Sequence, residues 1–211
     1  MKTIFYSLVL LCTVQVSLSQ TFSNIVPLEN GWAKYEEGAY YKDISGLLLT
    51  PFVGTWKYSN PDSTTILIIK LKRILNYNFG NHTKDMIIGE WYYKENGVEK
   101  INTLADIDVD LPFQFNHRIA AYRIINTKQR PPCNECDPSE KRVDGRISDD
   151  FLGIAGEIYF RHLPGVGPNS ISVLVRFEGI KYFFNAAGEV TGTQFVGSTL
   201  PNGKYTLVKQ P

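Results

Sequence analysis

The chain has 211 residues with 22 basic and 21 acidic side chains, a formal net charge of +1 at pH 7. A balance this even excludes a field of one sign that would recruit nucleic acid or an anionic membrane. Aromatic residues make up 13% of the chain, with 12 Tyr and 12 Phe, and that richness favours strands over helices.

The chain opens "MKTIFYSLVLLCTVQVSLSQ". Lys2 supplies a positive start, and the apolar run from Ile4 to Val16 is too short to span a bilayer with ease. Ser17-Leu18-Ser19 places small residues at the −3 and −1 positions before Gln20. Residues 1–19 therefore read as a secretory signal peptide, cleaved after Ser19. A lipoprotein site at Cys12 is rejected, because Leu11 stands where Gly, Ala or Ser is wanted. Cleavage would remove Lys2 and leave 192 residues with 21 basic and 21 acidic side chains, a net charge of zero. That length suits one β domain or at most two small ones. No other apolar run is long enough for a membrane helix, so no integral membrane segment is expected after cleavage. The expected address is outside the cytoplasm: periplasm, cell surface or medium.

Residues 20–38 show no clean period and read as an N-terminal arm, interrupted by Pro27 and Gly31. Strand signals begin at 39–45 and continue at 52–59 and 64–75. In the last of these Thr65, Leu67, Ile69 and Leu71 share one face, and Ile66, Ile68, Lys70 and Lys72 share the other. Residues 76–85 read as a loop. The segment 86–102 gives the sharpest local signal: two β-rich runs flank Asn96-Gly97, a dipeptide that accepts the positive φ angles of a type I′ turn. Another strand is expected at 118–126. The polar, proline-containing stretch 127–150 then reads as a loop insertion. Further strands follow from 151 to the end, broken by "PGVGPN" and by Asn202-Gly203. Some nine to eleven short strands, with no convincing helix of three turns between them, point to an all-β antiparallel barrel over 39–211. A flattened β-sandwich is the alternative.

Cys133 and Cys136 are the only cysteines left after cleavage, and an even count in an exported chain suggests a disulfide. A redox role would need the first thiol at a helix N-terminus, whereas this context is a proline-bounded loop with Glu135 and Asp137 beside the sulfurs. A zinc site would need two more ligands, and His82, His117 and His162 are scattered. No metal site is assigned. Asp106, Asp108 and Asp110 resemble the start of a calcium loop, but Leu111 occupies the position that requires Gly, and His117 the position that requires Glu. They read as an exposed extended segment. "GVGPNS" contains Pro168 and leads into a strand, so it reads as a turn and not as a phosphate cradle. With no Gly-x-Ser-x-Gly and no His-Glu-x-x-His, no catalytic constellation can be read. No enzyme activity and no cofactor are expected. The aromatics Trp91, Tyr93 and Phe183 are candidates to line a ligand cavity, although filling a core is the simpler use for them.

"YYKDISGLLLTPFVGTW" (41–56), the Tyr-rich hairpin of 86–104 and the closing "L-x-K" strand together resemble a family of uncharacterised bacterial exported proteins with an F-x-G-T-W motif. That family carries no activity and no catalytic residues to transfer. Gly54-Thr55-Trp56 is also loosely similar to the opening strand of lipocalin-like barrels. The resemblance implies a structural Trp56 packed across one end of the barrel beneath a basic side chain from the last strand, with Lys209 placed to supply it, and a structural Gly54 where that strand begins. It further implies a binding module for a small hydrophobic ligand. The alternative is a cell-envelope or surface interaction protein with a filled core.

Overall fold

The computed structural model describes residues 24–31, 35–163 and 169–211. The leader expected at 1–19 lies outside them. The described residues form thirteen strands: β1 (Asn24–Pro27), β2 (Ala39–Lys42), β3 (Gly54–Ser59), β4 (Ile66–Asn78), β5 (Thr83–Glu95), β6 (Val98–Asn102), β7 (Ile119–Ile125), β8 (Arg142–Asp149), β9 (Ile154–Leu163), β10 (Ser170–Phe177), β11 (Ile180–Phe184), β12 (Val190–Phe195) and β13 (Gly203–Lys209).

Eight of them close a ring in chain order, β3-β4-β5-β7-β8-β9-β10-β13, and β13 returns to β3. Every pairing in the ring is antiparallel. This is a closed up-and-down β-barrel, and closure removes the open edges of the sheet. β5 is the hub. One of its edges pairs throughout with β4. The other is shared among β2 at Thr83–Lys84, β7 at Ile87–Gly89 and β6 at Tyr92–Glu95. β1 lies parallel to β2 outside the ring, so part of the expected N-terminal arm is a strand. β11 and β12 form a separate two-stranded hairpin.

The alternation read in the sequence decides which side chains enter the barrel. From β4, Leu67, Ile69 and Leu71 point inward and are buried. They meet Trp56 of β3, Ile87, Trp91 and Tyr93 of β5, Val143 and Ile147 of β8, Ile158 and Phe160 of β9, Val173 of β10 and Leu207 of β13. The interior is thus a packed apolar core. Its ends are stoppered: Leu49 and Phe52 enter the core just before β3, with the Phe52 ring 6.0 Å from Phe160, and Leu200 enters it just before β13. Gly145 shows how tightly the wall is drawn, since a Cβ there would lie 2.4 Å from Cα of Ala121.

A second, smaller core lies outside the barrel. Met86 and Ile88 of β5 and Ala120 of β7 are covered by Ile107 and Phe115 from the segment between β6 and β7. β5 is therefore buried on both faces for most of its length.

Three local expectations are corrected. Residues 127–150 are not all loop: β8 occupies Arg142–Asp149, and its inward Val143 and Ile147 are core. Its outward Arg142, Asp144, Arg146 and Ser148 give the stretch its polar composition. The loop expected at 76–85 shrinks to a turn at 79–82, where the Phe79 N–H donates to the His82 carbonyl at 2.9 Å. The acidic segment is not extended: Leu104–Asp108 is a 3-10 turn with Ile107 buried beneath it. The Asn96-Gly97 turn is found as expected, with φ of 51° and 77°.

Candidate functional site

The expected structural residues sit together. Trp56 is 1% exposed, its indole N–H donates to the Phe52 carbonyl at 2.6 Å, and Lys209 Nζ lies 5.4 Å from the centre of its ring. Gly54 has φ of 128°, and a Cβ there would come within 2.9 Å of the Lys209 side chain. Cys133 and Cys136 form a disulfide with a Cα separation of 5.4 Å.

The cavity candidates are not brought together. Trp91 and Tyr93 are buried core residues, and the Trp91 indole N–H donates to the Ser148 carbonyl. Phe183 is 43% exposed on the β11–β12 hairpin, outside the barrel. Trp91 and Tyr93 fill the interior instead of lining an opening.

An aromatic groove lies on the outer surface, where sequence reading did not place one. It has a volume of about 560 Å³ and is lined by Tyr35, Tyr77, Phe79, His82, Phe115 and Tyr122 among others. Four of these rings have a local reason to be there. β4 is irregular between Ile74 and Tyr77, with Asn76 at φ 54°, and this re-aims Tyr77 and Phe79 at its end. β7 carries an extra residue between Ala121 and Arg123, and Tyr122 of that bulge packs against the outer core. Phe115 arrives on the segment that covers that core.

The rings are ordered. Tyr35 and His82 stack at 4.1 Å with an 8° angle, and Phe79 stacks on His82 at 5.3 Å with a 3° angle. Tyr77 meets Phe79 edge-on, while Phe115 and Tyr122 are tilted against each other at 5.5 Å. Burial, then the Lys84 charge, lower the His82 pKa below its ordinary value, which favours a neutral imidazole in the stack.

Lys84 stands behind this wall. It is 1% exposed. Its ammonium nitrogen donates to the Tyr35 hydroxyl at 3.1 Å and lies 4.7, 5.7 and 5.6 Å from the ring centres of Tyr35, Tyr41 and Tyr122. Burial, then the Arg123 charge, push its pKa down to about 7. Arg123 in turn pairs with Asp144 at 2.8 Å.

Other polar clusters serve the fold. Asp85 accepts from the Tyr40 hydroxyl, the Arg73 guanidinium and the backbone N–H groups of Asp43 and Asn76, which ties the 43–50 segment to the barrel. Glu90 and His117 form a buried pair at 2.7 Å under the segment that covers β5. Asp108 pairs with Lys70 and Lys72, and Asp106 with Arg118, so two of the three acidic residues are tied to basic partners. Among the described residues no group of three or more His, Cys, Asp or Glu is placed to hold a metal ion. None of their helices is long and apolar enough to cross a membrane.

Fold and site together define an all-β protein: a closed, filled, up-and-down barrel with an aromatic groove on its outer face. Residues 1–210 match the model of a family of unknown function, DUF6705, and the chain belongs to that family. No curated protein and no solved structure matches it.

Proposed function

We propose that this chain is an exported binding module that holds a small hydrophobic, ring-bearing molecule in the outer aromatic groove and not in the barrel. The observation that carries this reading is the groove itself. Its volume falls within the range of small-molecule pockets, and its wall is a run of three nearly parallel rings. Stacked faces would accept a flat apolar molecule, and the hydroxyls of Tyr35, Tyr77 and Tyr122 give it polar points of orientation. The driving force would be desolvation of the ligand, with no turnover. Export is supported by the leader-like residues 1–19 and by the disulfide.

Thermal shift with a panel of small aromatic and apolar compounds tests the reading. At least one compound should raise Tm in the parent protein, and Phe79→Ala should abolish that shift. A panel without effect, or a shift unchanged in Phe79→Ala, overturns the groove as the site. Export predicts a mature chain beginning at Gln20, which N-terminal sequencing of protein from its own host would read.

A second reading, a surface interaction protein, is favoured by the β11–β12 hairpin. Phe184 is 61% exposed and Phe195 77% exposed on an element that adds nothing to the barrel wall. Exposed aromatic patches of this kind mark interaction sites. If the hairpin is the contact, binding of the purified protein to intact host cells should be lost in the Phe184→Ser, Phe195→Ser double variant and kept in Phe79→Ala.

A further inference from the structure

A second opening lies beneath the β11–β12 hairpin. It has a volume of about 760 Å³ and shares no lining residue with the aromatic groove. One wall is the outer face of the barrel. Arg146 of β8, Glu157 of β9 and Arg176 of β10 are direct neighbours in register, a row of alternating charge with about 4.8 Å between strands. The facing wall is β11. Ile180, Tyr182 and Phe184 lie two residues apart, so strand alternation turns all three toward the cleft.

Its polar groups are unequally occupied. Asp150 pairs with Arg118 at 2.9 Å, Glu157 accepts from the Tyr159 hydroxyl at 2.7 Å, and Glu178 accepts from the Tyr182 hydroxyl at 3.2 Å. Arg146 and Arg176 make no ion pair among the described residues. Ser148 also lines the cleft and is only 3% exposed. Its backbone N–H donates to the Arg118 carbonyl, and its own carbonyl accepts from the Trp91 indole. Its hydroxyl, by contrast, has no hydrogen-bond partner among the described residues. A buried hydroxyl left unpaired destabilises a fold, so its retention calls for a partner from outside the chain.

This lining selects among ligands. A purely apolar molecule would strip water from two guanidiniums and three carboxylates and give nothing back. A simple anion would meet those carboxylates. An extended peptide finds no free edge on this wall, because β8, β9 and β10 are each paired on both sides. A sugar chain is uncharged, each of its hydroxyls both donates and accepts, and the C–H faces of its rings are apolar. We propose that the cleft beneath the hairpin is a carbohydrate site that takes a neutral pyranose oligosaccharide. The Arg146 and Arg176 forks donate to adjacent sugar oxygens, and Glu157 between them accepts from a hydroxyl. Ser148 gains the partner it lacks, and the Tyr182 and Phe184 rings pack on a C–H face. No bond is made or broken. The site is independent of the aromatic groove.

The full chain is screened on an array carrying cellohexaose, xylohexaose, maltohexaose and mannohexaose beside oligogalacturonate, and affinities are measured by calorimetry. At least one neutral oligosaccharide should bind. Arg176 is exposed, so Arg176→Ala should keep the parental Tm and weaken that sugar about 10-fold or more. Ser148→Ala removes an unpaired group, so it should weaken binding while its Tm stays level or rises. Failure of every neutral sugar to bind, or parental affinity in Arg176→Ala, overturns the proposal. Binding confined to oligogalacturonate also overturns it and makes the two arginines an anion site. Cell contact through the exposed hairpin alone would not depend on Arg176, so this variant separates the sugar site from that reading.

Discussion

Lys209 accounts for both unusual residues at the start of β3. Its stem runs over Gly54 and its ammonium sits above the Trp56 ring, so the strand needs a flat aromatic beneath the charge and no Cβ beneath the stem. Gly54 also has φ of 128°, a backbone conformation that L side chains rarely adopt. Gly54→Ala should destabilise the fold by about 1–3 kcal/mol in chemical denaturation, from backbone strain. Lys209→Met should cost about 0.5–1 kcal/mol, because it removes a half-exposed cation–π contact and keeps the stem. The Gly-Thr-Trp trio was legible from local strand chemistry, whereas its basic partner was expected only from the resemblance to lipocalin-like barrels. Lys84 was not legible, because the polar stretch "NHTKDM" (81–86) gives no sign of which residues the fold will bury. Its depressed pKa has a measurable consequence. Between about pH 7 and 10.5 the unfolded chain carries a proton on Lys84 that the folded chain lacks, so stability contributed through this group rises with pH over that window. Below pH 7 its cost is present in full. Lys84→Met removes the titration, so its stability relative to the parent should be highest at pH 6.5 and should decline steadily toward pH 10 in urea melts.

At the scale of elements, what the sequence showed depended on which face of a strand was polar. β4 and the β5–β6 hairpin were legible because their inward residues alternate and Asn96-Gly97 marks the turn. β8 was hidden because its outward row is charged and its inward row includes Gly145. The 104–108 segment imitated a strand by alternating acidic and apolar residues, yet only Ile107 is buried and the turn is 3-10. On β5 beside that segment is the buried Glu90–His117 pair, in which Glu90 Oε2 and His117 Nε2 have no hydrogen-bond partner among the described residues. Glu90→Leu leaves the imidazole buried and alone and takes an acceptor from Arg118, and should cost about 3–5 kcal/mol by urea denaturation. The β11–β12 hairpin lies at the other extreme. A lone two-stranded hairpin is marginal in water, so its amides should exchange with deuterium through local opening, while those of β4 and β5 should exchange only on global unfolding.

For the whole molecule, the barrel class followed from strand density and turn spacing, but the groove did not. Its walls come from residues 35, 77–80, 82, 113, 115, 116 and 122, which only the closed ring brings side by side. The disulfide was readable from the Cys-x-x-Cys spacing, and the same spacing limits its worth. So small a ring contributes about 2 kcal/mol on loop entropy, so reduction should lower Tm by several degrees and leave the barrel folded. The ring itself is unevenly sewn. β9 and β10 pair along their whole shared length, whereas β13 meets β3 at only Val208–Lys57 and Lys209–Trp56. Each of the other ring strands can settle on the one made just before it, in the order of synthesis. β3 alone must wait for the strand made after all the others. Until β13 arrives, a nascent chain exposes two raw hydrogen-bonding borders and a bare indole, and the clasp that ends this vulnerability is a single lysine laid across a tryptophan.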